Sequence, residues 1–193
     1  MNKANKKLLI TNISILLIVT GFMMCSGTIF NMWTQSRFHV KPLIKEVIVV
    51  KTENLYTNHY NEGDYIGSMI IPALQKELPI YQGTNLATLD KGVGHFIQSV
   101  LPGERDNSVF SAHRETAFAG IGNLVIGDKI VLTTVAGTFT YTVSTTRIVK
   151  DDDLTVIVPT STPTITLITC YPFKPFATTN ERYIVSANLI ISK

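Results

Sequence analysis

Cysteine is scarce in this chain, with only Cys25 and Cys170 among 193 residues. That excludes a disulfide-stapled scaffold, because Cys25 lies inside a long apolar run and Cys170 far away in a polar-rich region. It excludes a zinc centre as well. One cysteine outside the run and four scattered histidines offer no pair at ligand spacing. An excess of charge is also missing. The formal net charge is +3, and with Lys3, Lys6 and Lys7 set aside, fourteen basic residues face fourteen acidic ones. Nucleic acid, whose phosphates demand clustered Lys and Arg, is therefore not an expected partner. No G-x-x-x-x-G-K-[ST] phosphate loop occurs, and Gly120-Ile121-Gly122 lacks the third glycine of a dinucleotide fingerprint. Internal repeats and low-complexity segments are absent too.

Charge disappears altogether between Leu8 and Ser36. The 23 residues from Leu8 to Phe30 are mostly Leu, Ile, Val, Phe and Met. As a helix they reach about 35 Å, enough to cross a hydrocarbon core. A buried globular helix would show a polar face at helical spacing, and none interrupts the run. A cleaved signal peptide fits poorly, since the run exceeds a typical h-region and no A-x-A site follows it. Met23-Met24 are too bulky for a lipoprotein-type cleavage before Cys25. Lys3, Lys6 and Lys7 precede the run, whereas only Arg37 and Lys41 follow it closely. The positive-inside rule puts the N-terminus in the cytoplasm and the rest outside. The expected organisation is a cytoplasmic tail (1–7), a transmembrane anchor (8–30), a polar extracellular stalk (31–63) and a folded domain (64–193).

From Asp64 onward, short strand-like runs alternate with turn signals. Tyr65–Ile71 ends at Pro72, and Leu78–Tyr81 ends at Gly83; Ser108–Ala112, Lys129–Val135 and Thr138–Val149 follow. Phe139, Tyr141 and Val143 alternate with Thr138, Thr140, Thr142 and Ser144, the period of a half-buried strand. Ala136-Gly137 is expected to turn that strand back onto its predecessor. Thr164-Ile165-Thr166-Leu167 alternates too and leads to Cys170. The last strand, Tyr183 to Ile191, sends Tyr183, Val185, Ala187, Leu189 and Ile191 to one side. Short helical pieces are expected near Asn85–Asp90 and Thr116–Gly120. The pattern is all-β: a mostly antiparallel barrel or sandwich of about 130 residues.

An unpaired thiol in an extracellular domain risks oxidation or mispairing, so Cys170 invites a functional reading beside that of a small buried hydrophobe. A thiolate nucleophile needs an imidazole or guanidinium nearby. His39 and His59 fall in the stalk, and His95 lies in the Gly-rich stretch Gly92-Val93-Gly94-His95, where a surface position is expected. His113 directly follows a predicted strand and opens a loop, as catalytic side chains at a strand-end rim often do. Taken alone, it reads as an ordinary satisfied strand-end histidine before it reads as a catalyst. Cys170 also ends a strand, and Arg182 stands just before the last one. Between them Tyr171-Pro172-Phe173-Lys174-Pro175-Phe176 is too rich in proline to continue the strand. Across an antiparallel pair, Cys170 and Arg182 would sit side by side. The acidic run Asp151-Asp152-Asp153 clusters carboxylates suited to Ca²⁺, but its spacing matches no calcium loop and a solvated loop is expected.

Thr166-Leu167-Ile168-Thr169-Cys170 resembles the T-L-x-T-C signature of sortases, with Arg182 matching the arginine that follows it. Ser111-Ala112-His113-Arg114-Glu115-Thr116 resembles the family's S-x-H-R-[DE]-T motif. Ile71-Pro72 and Leu78-Pro79-Ile80-Tyr81 resemble its opening strands, and the likeness spans roughly residues 62–193. The twelve-position step from Cys170 to Arg182, the Tyr-Pro-Phe after the cysteine and the lack of an Asp-Pro-aromatic lid tripeptide are similar to class D rather than class C members.

The resemblance implies a closed antiparallel β-barrel and a cysteine transpeptidase at a Gram-positive cell surface. Its substrates would be secreted proteins with a C-terminal LPxTG-like sorting signal, and its acceptor a peptidoglycan precursor or cross-bridge amine. It implies Cys170 as the nucleophile forming a thioester, His113 as proton carrier and Arg182 as oxyanion partner, with no cofactor. Thr169 would line the substrate groove, although strand alternation sets it on the face opposite Cys170. Other cysteine acyl-transfer enzymes fit less well: L,D-transpeptidases place His and Gly close to the cysteine, and papain-like enzymes place the cysteine before the histidine. A non-catalytic wall-binding β-domain would leave all three residues incidental.

Overall fold

The computed structural model describes residues 55–57, 59–174, 177 and 179–190. The expected tail, anchor and stalk as far as residue 54 lie outside the described residues, as does Ile191. Among the described residues no helix is long and apolar enough to cross a membrane.

Eight strands form the domain: β1 (Tyr65–Ile71), β2 (Lys76–Gln82), β3 (Val93–His95), β4 (Asn107–Ser111), β5 (Lys129–Thr134), β6 (Gly137–Lys150), β7 (Thr164–Tyr171) and β8 (Glu181–Leu189). They close into a barrel in the order β1-β2-β3-β4-β7-β8-β6-β5. Among the described residues, closure leaves no free sheet edge for another chain to pair with. The elements grow from local chemistry. Pro72 cannot extend β1 and starts a 3-10 turn, Pro72–Leu74. Helix α1 (Leu86–Leu89) begins where the Asn85 side chain accepts from Thr88 N. The alternation in β6 turns Phe139, Tyr141 and Val143 into the core, each at most 1% exposed. They join Met69, Phe110, Ile130, Leu132 and Leu167 in one cluster. Leu55 and Tyr60, ahead of β1, pack against that cluster. The Tyr56 hydroxyl binds Pro102 O at 2.8 Å and Thr134 Oγ1 at 2.9 Å.

Three expectations need correction. The barrel is not wholly antiparallel: β2 with β3 and β4 with β7 run parallel. Side-chain period reports which face is buried, not the direction of the neighbour, so sequence could not reveal this. The β5–β6 turn is Val135-Ala136, and Gly137 at φ 136 opens β6 opposite Thr134. Gly92-Val93-Gly94-His95 is not at the surface: all four residues are buried, and Val93–His95 form β3. Its glycines permit close approach: a Cβ on Gly94 would lie 2.4 Å from Gly83 O, and one on Gly92 2.6 Å from Pro79 O. His95 is accordingly 0% exposed. Its Nδ1 sits 2.7 Å from the Gln82 side-chain amide, and its Nε2 lies 2.9 Å from Val100 O. Burial pushes its pKa down to about 4. Gln82 presents Oε1 to Nδ1, so a neutral ring that donates from Nε2 to Val100 O is satisfied at Nδ1 once the amide is flipped to offer its NH₂ instead.

Candidate active site

Three adjacent strands, β4, β7 and β8, build the site. In the parallel pair, Val109 faces Thr166 and Ser111 faces Ile168. Ala112 N donates to Ile168 O at 3.3 Å, carrying the pairing one step past the end of β4. Two positions beyond Ser111 is His113, and two beyond Ile168 is Cys170. In the antiparallel pair, Cys170 stands directly opposite Arg182. Directly paired residues share a face, and faces alternate along each strand. Ile165, Leu167 and Thr169 of β7 are buried. Cys170 therefore points outward, with Arg182 across the pair and His113 at the neighbouring strand end.

All three side chains remain accessible. Cys170 is half-buried, the His113 side chain is 33% exposed and that of Arg182 30%. His113 Nε2 lies 3.5 Å from Asp90 Oδ1, just past α1, but Asp90 is 74% exposed, so this ion pair is weak. Arg182 Nη1 donates to Glu181 O at 2.9 Å and to Thr179 O at 3.4 Å. Its Nη2 is 3.8 Å from Asp151 Oδ2, too long for a hydrogen bond. A guanidinium carries five N–H donors, and these contacts leave several for a ligand.

Thr169 behaves differently from the expectation of a groove-lining residue. It is 3% exposed, and its hydroxyl donates to Ala112 O at 2.7 Å. The hydroxyl thus supports the backbone next to His113 from inside the barrel, as strand alternation dictates. The acidic run is likewise engaged locally: Asp153 Oδ1 accepts from Thr155 N and Oγ1. Those bonds hold the Asp153 carboxyl below the usual carboxylate range.

Sequence reasoning passed over the residues that hold the His113 turn in place. Arg114, 9% exposed, donates to Glu115 Oε1 at 2.6 Å, Pro172 O at 2.8 Å and Ala177 O at 3.0 Å. Lys76 Nζ, at the head of β2, donates to Thr116 O and Ala117 O, both at 3.0 Å, and burial lowers its pKa. The place of Arg114 beside His113 in the motif was the available signal; nothing near Lys76 in sequence marked it.

A family model for the sortase domain matches residues 69–190. Sortase D of Bacillus subtilis is 40% identical over 124 residues, covering 64% of this chain and 63% of the relative. The chain thus spans somewhat less than two thirds of that relative's length. A sortase D5 transpeptidase of Clostridium perfringens superposes with a TM-score of 0.63 at 29% identity, covering 68% of this chain and 82% of the other. Clostridium perfringens sortase C, solved with the C-terminal cell wall sorting motif, superposes at 0.61 with 34% identity, covering 67% and 72%. With the eight-stranded barrel and the strand-end cysteine, histidine and arginine all in place, the chain belongs to the sortase family.

Proposed function

We propose that this protein is a membrane-anchored cysteine transpeptidase of the class D type. It cleaves an LPxTG-like sorting signal in secreted proteins and transfers the acyl group to a peptidoglycan amine. The observation that supports this reading is the register of β4, β7 and β8, which pairs Cys170 with Arg182 and aligns the strand that leads to His113 with the strand that ends in the cysteine.

The Cys170 thiolate attacks the threonine carbonyl of the signal, forming a carbon–sulfur bond. Arg182 donates to the oxyanion that develops, and its flat fork suits a planar acyl group. As the tetrahedral species collapses, the carbon–nitrogen bond breaks, and His113 as imidazolium protonates the departing glycine amine. The acceptor amine then attacks the thioester. His113, now neutral, takes its proton, and the thiolate leaves. Two acyl transfers replace one direct exchange of amines on an amide. The solved structure of Clostridium perfringens sortase C with the C-terminal cell wall sorting motif supports this substrate class.

The charge-free run from Leu8 to Phe30 behind Lys3, Lys6 and Lys7 supports a single-pass anchor with the barrel outside the cell. Incubation with a panel of L-P-x-T-G peptides, followed by mass spectrometry, tests the chemistry. The parent accumulates a thioester on Cys170, and Cys170→Ala and His113→Ala fold normally yet lose cleavage. Near-normal transpeptidation by either variant refutes the roles.

A further inference from the structure

We infer that Arg114 is a positioning residue that keeps the thiol and the proton carrier in register during acyl transfer. It is the covalent neighbour of His113, and its Nη1 donates to the carbonyl of Pro172, two residues beyond Cys170. Its Nη2 donates to Ala177 O, so one planar group brackets the connection that runs from the cysteine strand toward Arg182. The third donor, Nε, reaches Glu115, which Arg114 in turn holds below the usual carboxylate range.

Chain connectivity alone does not bind these segments: 58 and 63 residues separate Arg114 from its two carbonyl partners. His113 and Cys170 each stand at a strand end, where the ladder that aligns β4 with β7 stops. Beyond that point the cross-links are the Thr169 hydroxyl on Ala112 O from inside and Arg114 from the loop side. A buried cation engaged by two carbonyls in a fixed fork is expensive to shift, because loss of either carbonyl leaves a desolvated N–H donor unmet. A lysine gathers its three donors on one atom and lacks the fork whose separate nitrogens meet Pro172 O, Ala177 O and Glu115 Oε1.

This inference rests on the transpeptidase reading, so its test includes a measurement independent of turnover. Arg114→Lys and Arg114→Ala are compared with the parent by thermal melting, by peptide kinetics and by the rate at which iodoacetamide alkylates Cys170. Arg114→Lys is the milder variant and keeps the test usable if alanine unfolds the domain. The expected result for a folded Arg114→Lys is a kcat lower by about 10²-fold, the scale of an ångström-level misplacement. KM should stay within about threefold, because ground-state binding is untouched. Alkylation, which reads the exposure of the thiol and the Arg182 guanidinium left standing opposite it, should change by less than about twofold. Glu115→Gln, which leaves both carbonyl bonds intact, should stay near parental activity. A folded Arg114→Lys with parental kcat, or one whose loss appears only as a raised KM or as slowed alkylation, overturns the inference. Failure of the functional reading would appear separately, as retained activity in Cys170→Ala.

Discussion

Replacing Thr169 with valine removes one hydroxyl and almost no volume, and valine suits a strand as well as threonine does. No cavity forms, so the cost comes from the lost bond to Ala112 O at 2.7 Å. A hydrogen bond of this kind contributes about 1 kcal/mol net, rising toward 3 kcal/mol if the buried carbonyl is left without a donor. For a barrel of about 130 residues that lowers the melting temperature by about 4–11 °C. Because Ala112 precedes His113, a shift of its carbonyl also moves the proposed proton carrier, and kcat should fall about tenfold, equivalent to about 1.4 kcal/mol in the barrier. Thr166→Val is the matched control. Its hydroxyl is equally buried and donates to Asn107 Oδ1 at 2.8 Å, but it lies four residues before the cysteine. Thermal melts and peptide-cleavage kinetics on both variants separate the cases. Similar losses of stability with a selective loss of kcat in Thr169→Val are expected. Parental stability with a raised KM would restore Thr169 to the substrate groove and refute the reasoning.

Arg182→Lys keeps the charge but not the fork, and loss of an oxyanion donor costs about 10²–10³ in kcat. Single-turnover acylation of Cys170 should slow by that order; more than half of the parental rate would exclude an oxyanion role. His95 makes stability depend on acid. Its folded pKa, about 4, lies below the ordinary value of 6.5, so the unfolded chain binds a proton that the native state refuses. The stabilisation is complete above pH 6.5 and falls as the pH drops toward 4, by about 3 kcal/mol in all. Urea denaturation between pH 7 and pH 4 should show this slope, and His95→Gln should flatten it. An unchanged slope in that variant would assign the acid sensitivity to other groups.

What sequence could and could not reveal follows from how far each signal reaches along the chain. Alternation is local, so Phe139, Tyr141 and Val143 were legible as a core face, and the opposition of Cys170 and Arg182 followed from strand order alone. The parallel pairing of β4 with β7 joins segments more than fifty residues apart, and no local pattern encodes it. His95 was misread for a related reason. Gly92 and Gly94 look like turn residues, whereas their lack of side chains lets β3 lie against the backbone of its neighbours, which is a property of the assembled barrel. The same distinction divides the site. Groups that meet a substrate must face outward at strand ends, and order plus period locates them. Groups that hold those residues in place, Thr169, Arg114 and Lys76, are defined by the carbonyls they reach across the fold. A threonine before the cysteine reads as groove lining until the strand is folded. Then the two-residue period that sends Cys170 outward forces Thr169 inward, so exposure of the thiol and burial of its support are one geometric consequence.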